Sequence, residues 1–247
     1  MSWEWELLLA ICLFLGAALY SSVGHAGASA YIAIMALFGV APSVMRPTAL
    51  VLNVLVSAYA SWRYVGAGLF RGRTLWPVLV GAIPCAFIGG SIQLPGQYYR
   101  PLIGGVLLVA AVRLLSSSEH QMARAPIDIP VGWGVLAGCG IGLLSGLTGT
   151  GGGIFLSPLL LLMGWSDART ASGVAAVFIL CNSIAGLLGN LASVRALPPD
   201  LPLLAAAALA GAVVGTMLGV GRFSNRVILK ALGVVLIIAG LKMIGVY

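Results

Sequence analysis

The run Ser145-Gly-Leu-Thr-Gly-Thr-Gly-Gly-Gly153 holds eight hydroxyl-bearing or glycine residues among nine, between two apolar stretches. Hydroxyls and bare backbone amides donate hydrogen bonds suited to an oxyanion, and glycine lets the backbone approach it closely. A helix starting after Gly153 would add unpaired N–H groups and the positive end of its dipole. Ser145, Thr148, Gly149, Thr150, Gly151, Gly152 and Gly153 are therefore candidate anion ligands. A related run, Ser21-Ser-Val-Gly-His25-Ala-Gly27-Ala-Ser29, lies about 124 residues earlier and contributes His25, Gly27 and Ser29.

The elements that position these runs belong in a membrane. Hydrophobic residues make up 60% of the 247 and charged residues 8%, with a mean hydropathy of +1.08. That leaves too little polar surface to coat a soluble globule. Irregular backbone at membrane depth is tolerated only where protein or a watery cavity supplies partners, so each break needs a reason to exist. The net charge of +7 comes from basic residues scattered singly, which fits membrane topology and no nucleic-acid partner. Met1-Ser-Trp-Glu-Trp-Glu6 carries acids where a signal peptide would be basic, so the N-terminus is expected to be retained. Cys12, Cys85, Cys139 and Cys181 show no CxxC spacing and no adjacent histidine, and are expected to pack as small hydrophobes. No cofactor or metal motif is apparent.

Apolar segments run approximately over 7–20, 31–38, 48–64, 75–92, 102–115, 131–144, 154–163, 172–191, 203–220 and 227–246. The second and seventh would extend only about 15 Å as helices, half a bilayer core. Each follows a small-residue break, and the order of long, broken, half-length and three full segments occurs twice. The expected architecture is thus an all-α polytopic membrane protein of two repeats, residues 1–115 and 131–247, joined by a cytoplasmic linker, 116–130. Trp3, Trp5, Trp62, Trp76, Trp133 and Trp165 fall at segment ends, as interfacial anchors do.

Charge selects between two topologies. If each broken unit crosses once, the repeats are parallel, eight crossings result, and the basic residues divide roughly evenly between the two sides. If each dips in and returns, the repeats are inverted, with three further crossings each. Arg63, Arg71, Arg73, Arg113, Arg124, Arg169, Arg222, Arg226 and Lys230 then share one side, against Arg46, Arg100, Arg195 and Lys242 on the other. The positive-inside rule favours this re-entrant, inverted arrangement, with the N-terminus outside.

Inverted repeats with paired broken helices point to a secondary transporter whose site lies near the bilayer midplane. Glu4, Glu6, Glu119, Asp128, Asp167 and Asp200 all sit at segment ends or in connections. A carboxylate-based proton relay or cation carrier would keep one inside a span. His25 is the only histidine in an apolar unit, suited to proton coupling, to anion binding, or to plain packing against a carbonyl. Arg46 could anchor an anion or snorkel to the interface. Asn53 and Asn182 could donate to an oxyanion or tie helices together.

Gly142-Leu-Leu-Ser-Gly-Leu-Thr-Gly-Thr-Gly-Gly-Gly-Ile-Phe-Leu-Ser-Pro158, with Asn182-Ser-Ile-Ala-Gly186 after it, resembles the sulfite exporter TauE/SafE family of membrane transporters. Gly24-His-Ala-Gly-Ala-Ser-Ala-Tyr-Ile-Ala33 looks like a variant of the same motif that has lost the triple glycine. The resemblance implies transport, usually outward, of sulfur-containing anions such as sulfite or organosulfonates like sulfoacetate, across the cell membrane. The expected partners are a small anionic substrate and the lipid bilayer, and a homo-oligomer is compatible with the sequence. An anion channel and a non-transporting accessory subunit compete with this reading. A P-loop enzyme does not, because Ile154 follows the glycines where GxxxxGK[ST] requires lysine, and a hydrolase would lack an acidic residue to orient His25.

Overall fold

The computed structural model describes residues 3–116, 127–191, 197–220, 234, 236–238 and 240–245. Most of the 116–130 linker and half of the last apolar segment, together with Arg124, Arg195, Arg222, Arg226 and Lys230, lie outside the described residues. The elements are helical: α1 (Trp3–Ser21), α2 (Ala28–Leu37), α3 (Pro42–Gly66), α4 (Gly72–Ser91), α5 (Gly96–Ser116), α6 (Val131–Thr148), α7 (Gly153–Leu162), α8 (Ala168–Gly189) and α9 (Leu201–Val220). α1, α3, α4, α6, α8 and α9 are long and apolar enough to cross a membrane. This set includes the first arm of each broken unit, which the segment lengths alone had paired with a half-helix in a re-entrant unit. On α1 the outward Leu7, Leu8, Ile11 and Leu15 are as apolar as the buried Leu9, Leu13 and Ala17. A helix apolar all round, with one flank unpacked, suits contact with lipid.

Both broken units fold back on themselves. The ring of Trp5, at the start of α1, meets that of Phe38, just past α2, edge to face at 6.0 Å. In the second unit the Ile127 amide, ahead of α6, donates to the Gly164 carbonyl, just past α7, at 3.0 Å. In each unit the end of the half-helix therefore lies beside the start of the long helix before it.

The halves exchange partners. α6 packs closely on α4 and α1 on α9, each pair running parallel. Glycines make the approach possible: a Cβ at Gly138, Gly142 or Gly146 would strike the backbone of Val78, Ala82 or Ala86, and one at Gly211, Gly215 or Gly219 that of Phe14, Ala18 or Ser22. Small residues at such seams are how helices associate without a hydrophobic driving force. Between these pairs α3 and α8 run antiparallel, Leu50 against Gly186 and Asn53 against Ser183. On the same face as Gly164, exposed Arg73 pairs with Asp128 at 3.3 Å, joining the starts of α4 and α6.

The helix bounds sharpen the internal match. α2 at 28–37 and α7 at 153–162 are offset by 125 residues, not 124. At that offset Gly24, Gly27 and Gly39 fall on Gly149, Gly152 and Gly164, and all six have φ between 66° and 101°. Only glycine enters that left-handed region without penalty. The weaker first motif thus keeps three glycines where the backbone demands them; of its substitutions, Ala28 for Gly153 falls outside that region, whereas Ala26 stands in place of Gly151, whose φ is 72°.

Five of the tryptophans are exposed at helix ends, but Trp165 is only 5% exposed. It packs with Leu75, Leu160 and Ala171 in the second core cluster, so the interfacial expectation fails there. The α7–α8 turn folds over the bundle end instead of projecting from it.

Candidate functional site

The breaks between α1 and α2 and between α6 and α7 meet inside the bundle. His25 joins them: its Nδ1 lies 3.0 Å from the Val23 carbonyl and its Nε2 3.0 Å from the Gly153 carbonyl. Ser157 Oγ, one turn into α7, is 3.1 Å from the same Nε2. A neutral imidazole has one N–H and can donate to only one of the two carbonyls, leaving a ring lone pair against the other, whereas an imidazolium donates to both.

Around this contact the gap is lined by Tyr20, His25, Gly27, Ser29, Asn53, Thr150, Gly153 and Ile154, among others, and is too narrow to hold a water. Ser29 donates to Tyr20 Oη at 2.8 Å, and Tyr31 Oη donates to the Ala26 carbonyl. Both half-helices begin at the gap after a left-handed glycine, Gly27 or Gly152. Their first amides have no acceptor within their own helix, and both dipoles aim positive ends at the same place. Among the described residues no carboxylate lines it.

The second break is held from behind by asparagine. Asn182 Nδ2 donates to Ser145 Oγ at 2.7 Å and to the Gly151 carbonyl at 3.2 Å. Asn53 Nδ2 donates to Ser183 Oγ at 3.3 Å, and the Oδ1 atoms of both asparagines are buried without a partner. Thr148 donates to the Leu144 carbonyl at 2.7 Å and lies 2.9 Å from Thr150 Oγ1. Of the candidate ligands, then, His25, Gly27, Ser29, Asn53, Thr150 and Gly153 border the gap. Gly151 and Gly152 shape it; Ser145, Thr148 and Asn182 brace its wall.

Arg46 stands apart. It lies in the second turn of α3, which starts at Pro42 rather than near Thr48. Its Nη1 donates to the Ile92 carbonyl at 2.8 Å. Its Nη2 reaches the carbonyls of Gly89, Gly90 and Gly146 at 2.6–2.7 Å. At 6% exposure it neither snorkels nor enters the gap. It closes the C-terminal end of α4, where carbonyls lack intrahelical donors and the dipole is negative, and its Cγ sits 3.0 Å from where a Gly149 Cβ would be.

Sequence reasoning did not single out Tyr20, Tyr31, Ser157 or Ser183. Ser157 carried a signal, since it stands four residues after Gly153 and thus on the same helix face. The tyrosines and Ser183 read as ordinary span residues until the fold brought the halves together.

Broken helices meeting within a bundle of apolar spans define the chain as a multi-pass membrane transporter. Its relatives agree: residues 8–243 match the family described as sulfite exporter TauE/SafE, and the chain belongs to that family. It is 38% identical over 239 residues to the probable membrane transporter protein y4hK of Sinorhizobium fredii (strain NBRC 101917 / NGR234), covering 96% of this chain and 97% of that one. No solved structure gives a significant match.

Proposed function

We propose that the chain is a secondary transporter, working outward across the cell membrane, for small sulfur-containing anions such as sulfite or sulfoacetate. The anion would sit between the two breaks. The observation that carries this reading is the convergence of two half-helix N-termini and His25 on one gap bordered by hydroxyls and amides and by no carboxylate. Such a place favours negative charge.

Alternating access is supported by the antiparallel run of α3 and α8, which occupy matching places in the two halves. Counterparts that run antiparallel are what a two-fold axis in the membrane plane, and so an inverted repeat, would give. The family description supports a sulfur anion and export. With the gap too tight for water, the conformation is a closed one between the two faces.

Purified protein in liposomes loaded with unlabelled sulfite should take up labelled sulfite by saturable counterflow. Flux that rises linearly without saturation would make it a channel, and no flux of sulfite, sulfoacetate or thiosulfate above empty liposomes would leave an accessory subunit.

A further inference from the structure

A second polar concavity lies behind the gap. The cleft holds about 290 Å³ and is walled by the start of α3, the α4–α5 connection, the first turn of α5 and the end of α8. Its lining includes Arg46, Arg100, Tyr99, Ser43 and Asn190, and no acidic residue among those described. Three features distinguish it from a surface dimple. Arg46 spends its Nη groups on four carbonyls, yet its Nε is buried without a partner. Asn190, at 1% exposure, has both side-chain atoms unpartnered. Arg100 stands exposed in the first turn of α5.

A buried donor left unmade costs about 1–3 kcal/mol, so Arg46 Nε and Asn190 Nδ2, on two residues that line the cleft, would gain from an occupant that accepts hydrogen bonds. With two guanidinium groups and no carboxylate around it, that occupant is negatively charged. We infer that the cleft is a second anion site, taking a small oxyanion such as a sulfonate or sulfite head between Arg46 Nε and Asn190 at the floor and Arg100 at the rim.

The cleft communicates with the second break. Arg46 donates to the Gly146 carbonyl at 2.6 Å, and Tyr99 Oη donates to the Thr148 carbonyl at 3.1 Å. At the other break, the match of Gly24 to Gly149 puts Ser172 where Arg46 stands, and a Cβ on Gly24 would collide with the Ser172 backbone. The site rests on the transporter reading for its purpose, though not for its chemistry.

The test is sulfoacetate binding by calorimetry to the full chain in nanodiscs, with wild type, Arg100→Gln, Asn190→Leu and Gly151→Leu. Arg100 is exposed and has no hydrogen bond or ion pair among the described residues, so Arg100→Gln carries the test even if Asn190→Leu fails to fold. A second cleft site predicts that Arg100→Gln weakens one class of binding roughly tenfold and flattens its salt dependence, while Gly151→Leu keeps that class. Arg100→Gln indistinguishable from wild type in affinity, stoichiometry and salt dependence, with binding lost in Gly151→Leu, overturns the cleft and leaves the gap as the site. No binding of sulfoacetate, sulfite or sulfate to wild type overturns both.

Discussion

Gly151→Ala probes the site with a single methyl. Gly151 has φ +72°, and a Cβ there would fall on the Asn53 amide nitrogen and lie 3.0 Å from Ile179 Cγ2 and Ser183 Oγ. The left-handed backbone alone costs an alanine about 1–2 kcal/mol. Asn53 is fully buried, so its amide can yield only by giving up the bond to Ser183, about 1 kcal/mol more. The sum, about 2–3 kcal/mol, should lower the melting temperature in detergent by roughly 5–10 °C for a chain of this size. Sulfite counterflow should fall further than folding does, because the methyl occupies the wall of the gap. Gly140→Ala is the control, since nothing lies within 4 Å of its Cβ position and helix propensity favours alanine by about 1 kcal/mol. A Gly151→Ala protein with wild-type melting and wild-type counterflow would refute the reasoning, both for the strain and for the place of the site.

Gly142→Leu should be worse for folding than Gly151→Ala, because its side chain meets the Ala82 backbone, which cannot swing aside; overpacking costs about 1–3 kcal/mol or more, visible as lost monodisperse yield on size exclusion. Arg46→Gln should strand carbonyls of α4 and α6 that the guanidinium now satisfies, giving a larger loss of melting temperature than Arg46→Lys, which keeps the charge. Asp167 caps α8 by accepting from the Arg169 and Thr170 amides at 3.0 Å. Burial would raise its carboxyl, but these bonds outweigh it and hold it below the usual carboxylate range. A carboxyl depressed by folding stabilises fully above its unfolded value, near 4, and the benefit fades as pH falls through the folded one. Asp167→Ala should therefore cost about 1 kcal/mol at pH 7, and the gap to wild type should close in melts below pH 4.

The sequence by itself determined the membrane, the helical class, the duplicated order of segments and the two breaks. Each rests on local composition: apolar runs need lipid, ten-residue segments cannot span, and a left-handed turn needs glycine, as at Gly149 and Gly152. The family, too, was legible in the second break. What the tertiary structure decided concerns partners far apart in the chain. His25 could not reveal from its neighbours that it would reach Gly153 and Ser157, because that contact exists only once the hairpins fold back and meet. Arg46 read equally as anchor or snorkel until the C-terminal carbonyls of α4, more than forty residues away, took its hydrogen bonds. Trp165 sat at a segment end like the other tryptophans, and only the packing of the α7–α8 turn buried it. Sequence spacing fixes which groups a short stretch can offer, whereas the fold decides which of them are left unsatisfied. Among the described residues those include Arg46 Nε and Asn190 Nδ2 beside the cleft, and an unsatisfied donor is where an anion has something to gain.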